Sequence, residues 1–226
     1  MTTALAKRRY RLGWRLFKGT VLWARLWLLA GAALTLIASA VFATAIETGM
    51  WPVAASVLQW FAAVAASGLL YARLPVWISQ GWTRREITVG FAVFGILASV
   101  ALAAFVTAGF AAEHAILALI DQAPGTWGDA LASGARYLAV TPIYFFSGAL
   151  IGVLAARFSG AAWFTAAALV GAALLYTVVL SLEFGVVWFE RALPPAAWTA
   201  TALALIAALL AAYASTLRTL PIRAKA

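Results

Sequence analysis

The 226-residue chain has no cysteine, a single histidine and only seven acidic side chains. Without cysteine, disulfides and thiolate metal sites are excluded, and the redox compartment leaves no trace. With His114 as the one imidazole, no site within a single chain can use two. No Gly-x-x-x-x-Gly-Lys-Ser/Thr run occurs, so the chain cannot bind and hydrolyse ATP through a phosphate loop. His-Glu-x-x-His and acidic metal clusters are missing too, which argues against metal-dependent chemistry. A serine protease working inside a membrane needs a serine and a histidine facing each other at depth. His114 is instead expected beside Glu113 as a solvated residue of a loop. No residue is assigned a catalytic role, and the reading is of a protein that is not an enzyme.

What is present is apolar. Hydrophobic residues make up 65% of the chain and charged residues 10%, an imbalance that a soluble domain could not cover with its polar minority. A span needs about 20 apolar residues to cross a hydrocarbon core of about 30 Å. Six windows qualify: about 26–46, 52–72, 87–112, 138–156, 161–182 and 197–217. The runs are continuous rather than alternating, so helices and not barrel strands are expected. None of these windows has an ionisable residue near its middle, and no pair of Gly/Pro-broken half-helices appears. Both absences argue against an ion-coupled transporter. The expected fold is all-α: one transmembrane domain over 1–226, a bundle of six spans in the plasma membrane of a bacterial cell.

Charge orients the bundle. With the N-terminus inside, 14 of the 16 basic residues fall on the inner side, leaving Arg136 and Arg191 outside. Of the acids only Glu86 is inside. This split obeys the positive-inside rule and predicts both termini in the cytoplasm. Because the basic residues sit at the ends and turns of apolar segments, the net charge of +9 suits membrane lipids and not nucleic acid. Over residues 1–20, Tyr10, Gly13, Trp14, Phe17 and Val21 share one helical face while Lys7, Arg8, Arg11, Arg15 and Lys18 share the opposite arc. That pattern predicts an amphipathic helix lying in the inner interface before span one.

One inner loop, 73–86, has more content than a turn requires. Pro75 suits the first turn of a short helix and Gly81 its end. Trp77, Ile78 and Trp82 fall near one face, with Ser79, Gln80 and Thr83 toward water. Thr83-Arg84-Arg85-Glu86 is a capping box opening the next span. The bland reading is a turn followed by a capped helix, with Arg84 and Arg85 as topology charges. The functional reading is a surface helix on which a cytoplasmic partner docks.

A basic amphipathic N-terminal helix, six spans and an inner loop reading Gly81-Trp82-Thr83-Arg84-Arg85-Glu86 together resemble the permease subunits of ATP-binding-cassette exporters of the second type. The loop matches that family's Gly-x-Ser/Thr-Arg-Arg-Asp/Glu pattern. The resemblance implies that 73–86 is a coupling helix, with Trp77, Ser79, Gln80, Gly81, Trp82, Thr83, Arg84, Arg85 and Glu86 meeting a separate ATPase subunit. ATP and magnesium would be held by that subunit, and two permeases, identical or homologous, would form the path. Trp188, Phe189, Pro194 and Pro195 resemble the family's short outer re-entrant helices over 183–196. The outer segment 113–136 departs from the family in its length and is expected to be a partly ordered surface loop.

Polar side chains within the spans are uncharged. By resemblance spans one, two and five wall the path, which makes Thr35, Ser39, Gln59, Trp60 and Tyr176 the candidate lining residues. Gln59 is singled out because a buried amide needs a partner off its own helix; an interhelical hydrogen bond is the plainer role. Gly148 and Gly152 form a small-xxx-small pair read as close helix packing. The implied function is outward movement of a hydrophobic or amphipathic substrate such as a lipid, drug or peptide. The alternatives are a non-catalytic membrane module that binds a small ligand and is energised by another complex, or an assembly factor.

Overall fold

The computed structural model describes residues 2–43, 49–158, 161–184 and 194–219. All regular structure among them is helical: α1 (Thr2–Val41), α2 (Trp51–Ser79), α3 (Arg84–Ala118), α4 (Trp127–Ala135), α5 (Tyr137–Phe158), α6 (Ala162–Phe184) and α7 (Pro195–Arg218). Six stretches are long and apolar enough to cross a membrane, α4 and α5 together forming one of them. The chain is a multi-pass helical membrane protein. Residues 185–193, which hold most of the expected re-entrant segment, lie outside the described residues.

The centre of the bundle is α5, packed against α2, α3 and α7. Its contact with α2 is backbone on backbone. A methyl group built on Gly148 would stand 2.0 Å from the carbonyl oxygen of Ala63, and one on Gly152 would stand 2.5 Å from that of Ser67. Ala63 and Ser67 are therefore the small-xxx-small partners of Gly148 and Gly152. Their shared spacing of four residues lets the helices close to a distance that side chains would forbid. Phe145 and Phe146 of α5 fill the space over Gly95 of α3.

The N-terminal segment departs from expectation. Residues 2–20 do not form a separate interfacial helix but continue without a break into the first span as the 40-residue α1. The reason is its packing on α3, with which it runs parallel. At one end Arg8 Nε lies 3.9 Å from Glu86 Oε1; at the other Ser39 hydrogen-bonds Glu113. Between these ends, Gly13 meets Gly90 so closely that a methyl on Gly13 would stand 2.5 Å from the Gly90 carbonyl oxygen. The amphipathic stretch thus spends a small-residue face on α3 and leaves its cationic face exposed.

Helix α2 also runs longer than its expected window. It passes through Pro75 to Ser79, so the loop holds no separate helix starting at Pro75. The buried residues of α2 explain this: Trp51, Ala55, Gln59, Ala63, Ala66, Leu70, Leu74 and Trp77 recur every three or four positions, and the stripe does not stop at the proline. Pro75 removes one intrahelical hydrogen bond near the helix end, less than the packing of Leu74 and Trp77 returns.

The segment 113–136, expected as a partly ordered loop, is structured. Helix α3 continues to Ala118, and the chain turns with Asp121 at φ 54° and Gly125 at φ 67°. Thr126 then caps α4 in a second capping box with Asp129. Helix α4 folds back on α3, with Gly134 against Thr107.

Candidate functional site

At one end of the bundle the basic residues converge. Arg84 donates from a guanidinium nitrogen to the carbonyl oxygen of Arg218 at 2.7 Å, and Arg157 donates to the Thr219 hydroxyl at 2.9 Å. Both cations thereby close the C-terminus of α7, where unpaired carbonyls carry partial negative charge. The Thr83–Glu86 capping box is formed as predicted: Glu86 N–H donates to the Thr83 hydroxyl, while Thr83 N–H donates to Glu86 Oε2 at 3.0 Å.

The residues expected to meet a cytoplasmic partner divide under this geometry. Trp77 is buried in the core beneath the loop and is not on an exposed face. Glu86 is buried in its capping role, and Arg84 is engaged with α7. Ser79, Gln80, Gly81, Thr83 and Arg85 are exposed, with Ile78 beside them and Trp82 partly covered. Gly81 takes φ 77°, the left-handed conformation that ends α2 at little cost to glycine. The exposed surface is therefore a small polar turn with one free guanidinium at Arg85.

The five candidate path residues do not form one lining. Thr35 returns its hydrogen bond to Gly31 of its own helix at 2.8 Å, and it borders an open groove of about 610 Å³ between α1 and α2. Trp23, Trp27, Phe61 and Phe105 supply most of that groove's aromatic surface. Ser39 is buried at the far end of the bundle, donating to Glu113. Gln59 is wholly buried, and neither of its amide atoms has a hydrogen-bond partner in the structure. The expected interhelical hydrogen bond is not made. The hydroxyls of Ser99, Thr141 and Tyr213 share this condition, so α2, α3, α5 and α7 each carry an unpaired polar group in the core among the described residues.

Trp60 and Tyr176 do come together. The Trp60 ring packs at 4.9 Å on Tyr176 of α6 and at 5.6 Å on Tyr144 of α5. Its neighbour Phe61 stacks on Trp23 of α1 at 6.3 Å. Helix α2 thus joins α1 and α6 through two adjacent aromatics, giving one face with Trp23, Phe61, Trp60 and Tyr176 in a row. The helices flanking this face are the least covered of the bundle: 6% of the apolar window in α1 and 6% in α6 is buried, against 61% for the span containing α5.

Two features went unforeseen. Glu113, expected in the loop beside a solvated His114, is buried, and its Oε1 accepts from the Ser39 hydroxyl, from Met50 N–H at 2.9 Å and from Trp51 N–H at 2.8 Å. A carboxylate set on the first amides of α2 meets the positive end of that helix and ties α1, α2 and α3 together. Gly49, at φ 75°, leaves room for it: a methyl there would lie 2.7 Å from the carboxyl carbon. Next door Trp51 donates its indole N–H to the Val106 carbonyl at 2.9 Å and occupies the space a side chain on Gly109 would need. His114 is also buried, edge to face with Trp127 at 4.5 Å. The sequence signal was available in Thr126-x-x-Asp129, which marks a capped helix able to bring Trp127 down onto α3.

The second feature is Arg25. Taken as an inner flanking charge, it lies in the middle of α1. The Arg8–Glu86 and Ser39–Glu113 contacts fix the register of α1 on α3 and place Arg25 alongside about residue 101, in the middle of the 87–112 apolar run. Arg25 is exposed there.

In class, then, this is a polytopic all-helical membrane protein with one basic end. No family model, curated protein or solved structure matches the chain.

Proposed function

We propose that the chain is the membrane-spanning subunit of an ATP-driven exporter of the ATP-binding-cassette type, moving a hydrophobic or amphipathic substrate outward with another permease as partner. The observation that carries this reading is the unpartnered α1–α2–α6 face. It has aromatics along its middle, and α1 carries Arg25 at mid-depth on its other exposed flank, about 160° round the helix from Trp23. An arginine facing lipid at the centre of a membrane costs about 2.5–3.5 kcal/mol on insertion scales, so such a residue commonly faces a hydrated cavity or a partner. A second permease set against this face would cover the exposed sides of α1 and α6, and the enclosed space would take the Trp60–Tyr176 pair into a shared path.

The positive-inside rule puts the basic end in the cytoplasm, where the 78–85 turn is free to receive an ATPase subunit holding ATP and magnesium. Arg85, Gln80 and Ser79 are the contact residues in this arrangement. Arg84, Thr83 and Glu86 hold the turn in shape by joining it to α3 and α7. Force applied to the turn would pass directly into α2, because α2 is unbroken from the turn to the Glu113 carboxylate at its other end.

The second reading, a membrane module that binds a small ligand and draws its energy from another complex, draws support from the groove between α1 and α2, whose volume falls in the range of ligand pockets. One experiment separates the two. The full chain is purified from its native membrane with whatever soluble phosphate-loop ATPase accompanies it, and the complex is weighed in nanodiscs. Two permease subunits with two ATPases is the result expected; a single copy of this chain with no second permease refutes the exporter.

A further inference from the structure

Arg8, Arg11 and Arg15 recur at intervals of three and four along α1, so they lie on one face over two turns. With Leu12 of the same helix and Trp82 of the α2–α3 turn they enclose a pocket of about 350 Å³ at the basic end. Arg8 stacks on the indole of Trp82, its guanidinium carbon 4.4 Å from the ring centroid. The geometry points to a binding site for the phosphoryl headgroup of an anionic phospholipid, independent of whether the protein is an exporter.

Three observations bear on this. The first is charge. The one acid paired with a lining residue is Glu86, which is buried, accepts from Thr83 and lies at ion-pair distance from Arg8. Arg8–Glu86 is the one ion pair among the described residues, so Arg11 and Arg15 face the pocket with no carboxylate opposite them. An uncompensated pair of guanidiniums presents forked donors that match phosphate oxygens.

The second is depth. Arg8 is level with Glu86, and Gly13 is locked against Gly90, so Arg15 stands beside the first turns of the apolar run that begins at Ile87. The pocket therefore spans the boundary between headgroup and acyl chain, the position of a phospholipid phosphate and not of a soluble anion. Third, the walls suit an amphiphile: cations on one side, with Leu12 and the indole of Trp82 on the other. Basic pockets between helices at this depth are a recurrent mode of headgroup recognition.

The test is native mass spectrometry of the full chain released from nanodiscs of phosphatidylcholine with or without added phosphatidylglycerol. The unmodified protein should retain phosphatidylglycerol in preference to phosphatidylcholine. The R11Q/R15Q variant should lose that preference by roughly 30-fold, from the contribution of two juxtamembrane cations. Both side chains are exposed, and an unchanged circular dichroism spectrum and melting temperature would show that the fold survives. The K18Q/R73Q variant removes the same charge from the basic end outside the pocket and should keep the preference. Equal loss in the two variants would mean diffuse attraction and would overturn the site. Displacement of the lipid by millimolar inorganic phosphate would assign the pocket to a soluble anion and overturn the lipid assignment.

Discussion

The α2–α5 crossing makes a sharp quantitative demand. In Gly148→Ala the added methyl would begin 2.0 Å from the Ala63 carbonyl oxygen, whereas ordinary contact starts near 3.4 Å. The deficit of about 1.4 Å cannot be met by a rotamer change, because the obstructing atoms belong to the backbone of α2. The helices must separate, and a gap of that order forfeits a large part of the dispersion attraction along the contact. Overpacking of this kind costs about 1–3 kcal/mol, and the upper half of that range is expected here. The comparison is Gly68→Ala on α2, where nothing lies within 4 Å of the added methyl. That variant should be neutral or gain up to about 1 kcal/mol from helix propensity. Reversible unfolding in mixed micelles, followed by circular dichroism, gives both values. A Gly148→Ala protein as stable as Gly68→Ala would refute the backbone contact on which the core is built.

Three further outcomes follow from named contacts. Glu113→Ala should destabilise the protein by about 2–4 kcal/mol, since it strands the Trp51 amide and the Ser39 hydroxyl and leaves Met50 N–H with Ser39 Oγ alone, while Glu113→Gln keeps an acceptor and should lose half of that or less in the same unfolding assay. Arg84→Ala should lower stability by about 0.3–1 kcal/mol by uncapping α7, whereas Arg85→Ala should leave stability unchanged and weaken only ATPase association in a pull-down. For topology, Thr126→Cys and Ala196→Cys should react with an impermeant thiol reagent applied to intact cells and Ala224→Cys should not; labelling of the Ala224 variant would reverse the orientation.

What could be read in the sequence was what repeats or what is local. Six apolar windows became six spans, and Thr83–Glu86 formed the capping box its spacing required. What could not be read depends on registers that only packing sets. The boundary between a surface helix and span one vanished because Gly13 and Gly90 draw α1 upright along α3, a pairing across 77 positions that neither glycine announces. Pro75 marks a helix start locally, yet the buried stripe through Leu74 and Trp77 carries α2 past it. Glu113 looked like a topology charge because its partners are backbone amides, and any residue at 50 or 51 except proline would supply those. Trp77 is the instructive error at the candidate docking surface: a tryptophan at helical spacing near an interface fits a membrane surface or a core equally well, and here α2 turned it inward.

Arg25 turns that lesson into a test of the proposed permease partner. The window 26–46 began one residue after it, so the sequence placed it at the membrane edge; the α1–α3 register moves it to mid-depth on an exposed face. If that face meets lipid, a thiol there is neither hydrated nor ionised, and a hydrophilic maleimide will not reach it. If it lines a space between two permeases, the thiol is wet. Val100, exposed on α3 at nearly the same depth, is the lipid-facing comparison. The Arg25→Cys variant should therefore label at least about tenfold faster than Val100→Cys in membranes, a difference of about 1.4 kcal/mol in access. Adding the partner ATPase with a non-hydrolysable ATP analogue should change the Arg25→Cys rate and leave the Val100→Cys rate as it was. Equal and slow labelling of both, under every condition, would place Arg25 in lipid and show that no partner covers that flank of α1.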